Sequence, residues 1–238
     1  MAVLIVDIGN TRTKIGVFEG GSLRDLINTD DAPESALEEC FSQWKVEELF
    51  ISTVRANEIL KRYLNKKGVS FELLDHRTRL PLTMDYSTPE TLGKDRIAAV
   101  TGAWHLSGGS NLLVIDAGTC ITYDWVSERG KYLGGNIAPG LHMRLQAMHD
   151  LTHSLPLAKS TDLDGLQGKS TNEALYYGGA YGVLAEVDFY HRKTDWDHFE
   201  LYLTGGAGEW ISEQLQVPHH YEKDLVIKGL YEIYSFHH

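Results

Sequence analysis

Val3-Leu4-Ile5-Val6-Asp7-Ile8-Gly9-Asn10-Thr11 is an apolar run that ends in a carboxylate, a glycine and a threonine. It recurs 109 residues later as Leu112-Leu113-Val114-Ile115-Asp116-Ala117-Gly118-Thr119. A short continuous apolar run is the pattern of a fully buried strand. An Asp at its end can face a bound cation. The Gly lets the chain turn and approach a ligand closely, and the Thr adds a hydroxyl beside exposed backbone N–H groups. One such element is a weak phosphate-loop signal. Two, about half a chain apart, predict a duplicated α/β fold that grips a polyphosphate and its metal between two lobes.

The chain has 238 residues, enough for two small domains of roughly 100–130 residues each. The break at Ser107-Gly108-Gly109-Ser110 places the expected boundary between 1–108 and 109–238. A net charge of −11 speaks against a nucleic-acid partner, which normally requires a basic patch. Lys61-Arg62-Tyr63-Leu64-Asn65-Lys66-Lys67 reads as the polar face and last turn of a helix closed by Gly68. An acidic protein that handles a polyphosphate must recruit cations, so metal dependence is expected. No run approaches the roughly 20 apolar residues of a membrane span. Cys40 and Cys120 form no CxxC pair and no leader pattern opens the chain, so the expectation is a cytoplasmic protein. Cys120 reads as a small core residue.

The first half reads as strands near 2–7, 13–19 and 23–28, a helix from Pro33 to about Trp44, a strand near 49–54, a helix over 57–67 and a strand near 69–74. Residues 76–89 are polar and read as a loop that delivers side chains to the site. A helix over 89–106 carries Gly93-Lys94-Asp95-Arg96 in its first turns. The second half repeats the opening with strands 111–116 and 120–126. A Gly/Pro-rich segment 132–140 leads into a helix over 140–152. Ser170 and Glu173 have the spacing of a capping box for a long helix to about His191. A strand 199–203 then ends in Thr204-Gly205-Gly206-Ala207-Gly208, a helix follows, and a last amphipathic helix spans 224–234. His149 and His153 have a zinc-like i, i+4 spacing, but no Glu follows His149, and they read as a solvated helix end.

The two Asp-x-Gly-(x)-Thr hairpins and the late Thr204-Gly205-Gly206-Ala207 resemble the two phosphate motifs and the adenosine motif of the acetate kinase, sugar kinase, heat-shock protein 70 and actin superfamily. Within it, Asp7-Ile8-Gly9-Asn10-Thr11-Arg12-x-Lys14 resembles the type III pantothenate kinases. So do Gly93-x-Asp95-Arg96, Asp116-x-Gly118-Thr119-x-x-Thr122-x-Asp124, Gly134-Gly135-x-Ile137-x-Pro139-Gly140 and Asp224-Leu225-Val226-x-Lys228-Gly229-Leu230. The ordered set spans residues 3–230. The resemblance implies two ribonuclease H-like lobes, each a mixed five-stranded sheet with flanking helices, around ATP. It also implies phosphorylation of pantothenate to 4'-phosphopantothenate, the first step of coenzyme A synthesis. Lys94 departs from the family pattern, which usually has Ala there, as does Cys120, often Ala.

Phosphoryl transfer asks a protein mainly for positioning and charge neutralisation. Under the resemblance, Asp7 orients the waters of Mg²⁺, and the turn Ile8, Gly9, Asn10, Thr11, Arg12 and Thr13, with Lys14 beyond it, holds ATP phosphates. Asp95 is the general base that accepts the hydroxyl proton of pantothenate. Gly93, Lys94 and Arg96 hold the substrate's acid end or amide, with Tyr86 and Thr171 as further substrate contacts. Asp116 is the ligand of a monovalent cation, K⁺ or NH₄⁺, Thr119 contacts phosphate, and Gly205 and Gly206 pass close to adenine and ribose. The family pattern is a homodimer, and the helix over 171–191 is the expected interface. Bvg accessory factor-type proteins share these motifs, so a regulatory binding protein is the alternative, with another small-molecule kinase of the superfamily as a third reading.

Overall fold

The opening apolar run becomes β1 (Ala2–Ile8) in a computed structural model of the chain, which describes residues 1–9, 12–30, 32–53 and 58–238. Leu4, Ile5 and Val6 are completely buried because β1 lies at the centre of its sheet and is covered on both faces. Its neighbours are β2 (Thr13–Glu19), antiparallel, and β4 (Val46–Thr53), parallel. With β3 (Ser22–Thr29) and β5 (Ser70–Leu73) the order is β3-β2-β1-β4-β5.

Side chains alternate between the two faces of a strand. Ala2, Leu4, Val6, Ile15, Val17, Leu49 and Ile51 therefore share one face, which packs on Ala36, Leu37 and Cys40 of α1 (Pro33–Gln43) and on Leu60 and Leu64 of α2 (Glu58–Lys67). The other face carries Gly16, and a Cβ there would strike Ile227. That isoleucine belongs to α7 (Leu225–Ser235), which packs against α3 (Lys94–Ser107). The two helices meet backbone to backbone at Gly102 and Gly229: a Cβ on Gly229 would collide with the Ala98 carbonyl. Buried residues run unbroken from Arg96 to Ala103, so α3 is hidden all round through its first half.

The second sheet has the order β11-β10-β7-β8-β9-β6. Only residues 118 and 119 separate β7 (Leu112–Ala117) from β8 (Cys120–Val126), so these neighbours are antiparallel. β10 (Glu200–Thr204) runs parallel to β7, with Thr204 opposite Asp116. β9 is Lys131–Pro139, and α4 (Leu141–Asp150) and α5 (Thr171–Lys193) follow it. α6 (Gly208–Gln214) and β11 (His220–Tyr221) complete this part. The capping box is present in both halves, Glu173 N–H to Ser170 Oγ and Ser170 N–H to Glu173 Oε2, each 3.2 Å.

Three details differ from the sequence expectations. The second sheet has six strands rather than five, because the two-residue β6 (Thr83–Met84) pairs in parallel with the start of β9. The helix expected over 89–106 is divided: a single 3₁₀ turn occupies Pro89–Thr91, Leu92 is extended, and α3 starts only at Lys94. The Gly/Pro-rich segment is mostly a strand, with Gly134 at φ +106°, a conformation that a β-carbon would oppose.

The contacts group the chain into two units that are discontinuous in sequence. One comprises Met1–Ser110, Val126–Leu133 and Asp224–His238, the other Asn111–Trp125 and Gly134–Lys223. The tail helix thus joins the first unit, where α7 covers the face of β1.

Candidate active site

In the first unit the site is built at the ends of β1 and β4. Asp7 is half-buried and has two register partners, Lys14 on β2 and Ser52 on β4. Directly paired residues share a sheet face, so the three side chains emerge on the side of α3 and α7. Burial pushes the Asp7 carboxyl up to about 6, against a hydrogen bond from Ser52 that pulls it down. The negative charge of Asp95 adds to the rise, and the Lys14 ammonium opposes it. An acid that is hard to ionise beside a second acid is a place where a cation lowers the energy.

Asp95 reaches this point from the first turn of α3. Gly93 is the N-cap, and the Asp95 side chain folds back over it to accept the Arg96 N–H at 2.9 Å. Asp95 Oδ1 occupies the space that a Cβ on Gly93 would need, so a side chain there would displace the carboxylate from this position. Lys94, on the same turn, donates from Nζ to the Thr53 carbonyl at the end of β4, 3.0 Å away. The ammonium therefore ties the start of α3 to the strand beside Asp7.

The turn after β1 is closed by a hydrogen bond from Gly9 N–H to the Arg12 carbonyl, 3.0 Å. Ile8 pairs with Thr13, which is buried, while Arg12 is exposed and ion-paired with Asp30 at 2.9 Å. Asn10 and Thr11 lie outside the described residues. Arg96 is 4% exposed, and its Nη2 donates to the Tyr132 hydroxyl at 2.9 Å. The ring of Tyr132 sits 5.9 Å from that of Tyr86. Asp7, Lys14, Ser52, Lys94 and Asp95 thus gather at one strand end, with Tyr86, Arg96 and Tyr132 forming a second group.

The second unit has its own turn. Asp116 is half-buried at the end of β7, and Gly205, at φ +88°, packs so closely on Asp116 and Ala117 that no β-carbon fits. The Ala207 N–H donates to the Ala117 carbonyl, holding the Gly205-Gly206 turn against β7. Thr119 is exposed, and its carbonyl accepts the Gly140 N–H at 3.1 Å. Thr171 is exposed at the first position of α5. His149 Nδ1 lies 2.8 Å from the Leu155 carbonyl, and no cluster of three metal-ligating side chains occurs among the described residues. Among them, no helix is long and apolar enough to cross a membrane.

Residues 3–193 match the family model described as type III pantothenate kinase. A type III pantothenate kinase of Bacteroides fragilis strain YCH46 is 38% identical over 236 residues, covering 98% of this chain and 97% of the relative. The chain belongs to the type III pantothenate kinase family. Among solved structures, a protein described as a Baf family transcriptional activator from Campylobacter jejuni is similar at TM-score 0.63 and 24% identity, covering 98% of both chains. An activator of a 2-hydroxyisocaproyl-CoA dehydratase from Clostridium difficile, with bound ADPNP, gives TM-score 0.54 at 10% identity, covering 99% of this chain and 95% of that one. At those identities the two structures speak for the fold alone.

Two residues of these groups were not singled out from the sequence. Ser52 stands in an ordinary apolar strand, and a small polar residue directly beside an apolar run is the sole hint it offers. Tyr132 follows the second hairpin by more than ten residues, and nothing in its neighbourhood points back to Arg96.

Proposed function

We propose that this chain transfers the γ-phosphoryl group of ATP to the primary hydroxyl of pantothenate, giving 4'-phosphopantothenate and ADP. The observation that carries the reading is the convergence of Asp7 and Asp95 from β1 and the first turn of α3, where the charge of Asp95 resists the ionisation of Asp7. Family membership supplies the substrate, and this pair supplies the two functions the transfer needs. Asp95 accepts the hydroxyl proton and keeps the oxygen aligned for attack. Asp7, with Lys14, faces the phosphates. A carboxyl whose ionisation is resisted by burial and a neighbouring acid suits Mg²⁺ held through water, since Mg²⁺ retains several of its waters. When bound, that ion neutralises charge on the phosphoryl oxygens.

We read each unit as one ribonuclease H-like lobe of an actin-like ATPase. On the second, the half-buried Asp116 is the candidate ligand for K⁺ or NH₄⁺. Thr119 and the Gly205-Gly206 turn serve as phosphate and nucleoside contacts. In the first, the Gly9 and Thr13 backbone and the Arg12 side chain complete the phosphate turn. Arg96, Tyr86 and the Gly93-Lys94 backbone receive the acid end of pantothenate, with Thr171 as a further contact. A second copy of the chain is the expected partner. The outer face of α5, where Ala174, Gly178, Ala185 and Phe189 are exposed, is the surface it would cover. The protein is read as cytoplasmic, with no nucleic-acid or membrane partner.

Mass-spectrometric detection of 4'-phosphopantothenate tests the assignment. ATP, Mg²⁺, K⁺ and pantothenate together should give product and ADP in equal amounts. ADP release that does not depend on pantothenate would reject it.

A further inference from the structure

We propose that Tyr132 is the positioning residue for Arg96, and that it sets the affinity for the carboxylate end of the acceptor substrate. The inference rests on the reading of Arg96 as the group that meets the acid. Tyr132 is completely buried and touches three parts of the first unit at once. Its hydroxyl accepts from Arg96 Nη2 on α3, at 2.9 Å. Its carbonyl accepts the Asp85 N–H, also at 2.9 Å, while Met84 is its register partner on β6. Its ring lies against Tyr86, 5.9 Å between centroids and tilted by 51°. One side chain therefore fixes the helix that carries Arg96 and the loop that carries Tyr86 relative to each other.

The physical case lies in the burial of the guanidinium. Arg96 is almost entirely withdrawn from water, so solvent does not average its orientation. A planar guanidinium binds a carboxylate well only when its fork faces it squarely. The acceptor that holds Nη2 therefore contributes to which way the fork points. A phenol suits this task because it accepts without adding a negative charge that would compete with the substrate's own. The strand β9 brings the phenol there, and the short β6–β9 pairing, reinforced by the Lys131–Asp85 ion pair at 2.7 Å, holds the strand and the Tyr86 loop together.

The test compares wild type with Tyr132→Phe, Arg96→Lys and the double variant, measuring kcat and KM for pantothenate and for ATP, with thermal melts alongside. Removing only the hydroxyl should raise the pantothenate KM by about ten- to a hundredfold and leave kcat and the ATP KM within about threefold. In the Arg96→Lys background the same replacement should add nothing, because there is no fork left to orient. A purely structural role would lower the melting temperature without that selective rise, and that result overturns the inference. So does an additive rise in the double variant. Should Tyr132→Phe alone lose its cooperative melt, the Arg96→Lys pair decides, since no guanidinium is present in either member: equal KM values support the inference and a further rise defeats it. If wild type itself makes no 4'-phosphopantothenate, the functional reading fails first and this inference falls with it.

Discussion

Ser52 and Asp7 face each other across two parallel strands, and the buried serine hydrogen-bonds the aspartate at the end of the sheet. The bond is one of two influences that favour the charged acid, the other being Lys14, and both are outweighed. Ionising Asp7 is thus costly at this strand end.

That cost predicts a pH-dependent stability. The folded-state carboxyl is at about 6 against an ordinary 3.8, so between these values the folded chain holds a proton that the unfolded chain has lost. The resulting stabilisation is complete below pH 3.8 and is lost as pH rises through 6. Asp7→Asn carries no such penalty. In metal-free, chelated buffer it should gain on the wild type by on the order of 2 kcal/mol between pH 4 and pH 8, while losing catalysis. Melts at the two pH values check this, and a pH-independent difference would contradict it.

Lys94 is committed to the Thr53 carbonyl, so it acts on the site through the backbone. Lys94→Ala should cost about 1 kcal/mol of stability and lower kcat/KM by less than about tenfold. A loss as deep as that expected for Asp95 would show that the ammonium touches the reacting groups.

The α3–α7 contact makes a packing prediction. A methyl on Gly229 collides with the Ala98 carbonyl, and backbone cannot step aside as a flexible side chain can. Gly229→Ala should destabilise by about 3 kcal/mol or more, seen in a denaturant titration, whereas Gly206→Ala, with open space around it, should stay within about 1 kcal/mol.

Local patterns carried much of this architecture. The strands at β1 and β7 are continuous apolar runs, and the start of α5 is marked by a Ser–Glu pair three residues apart, so short windows suffice for both. The grouping of the candidate site was legible where residues stand in one motif, as Gly93, Asp95 and Arg96 do at the start of α3. Ser52 and Tyr132 were not, because each is placed by strand pairing, Ser52 with Asp7 and Tyr132 with Met84, across a long stretch of intervening sequence. The same limit hid β6 and β11, whose two residues hold no periodicity, and the return of α7 to the first unit through Gly102 and Gly229. Lys94 looked like an extra charge beside the base until its carbonyl partner was known.

The second turn supports a cation test. Asp116 is confined by Gly205, and as the candidate monovalent ligand it should make turnover in K⁺ exceed that in Na⁺ by about tenfold or more. Asp116→Asn should abolish the difference. A wild type indifferent to the exchange would remove that role.

The most direct measurement is the rate of 4'-phosphopantothenate formation by Asp95→Asn beside wild type at saturating ATP and pantothenate. A folded variant with kcat lowered by about 10²–10⁴-fold and a pantothenate KM within a few-fold is the expected result. Undiminished turnover would mean that the acid at the start of α3 takes no proton, and the account of the site would be wrong.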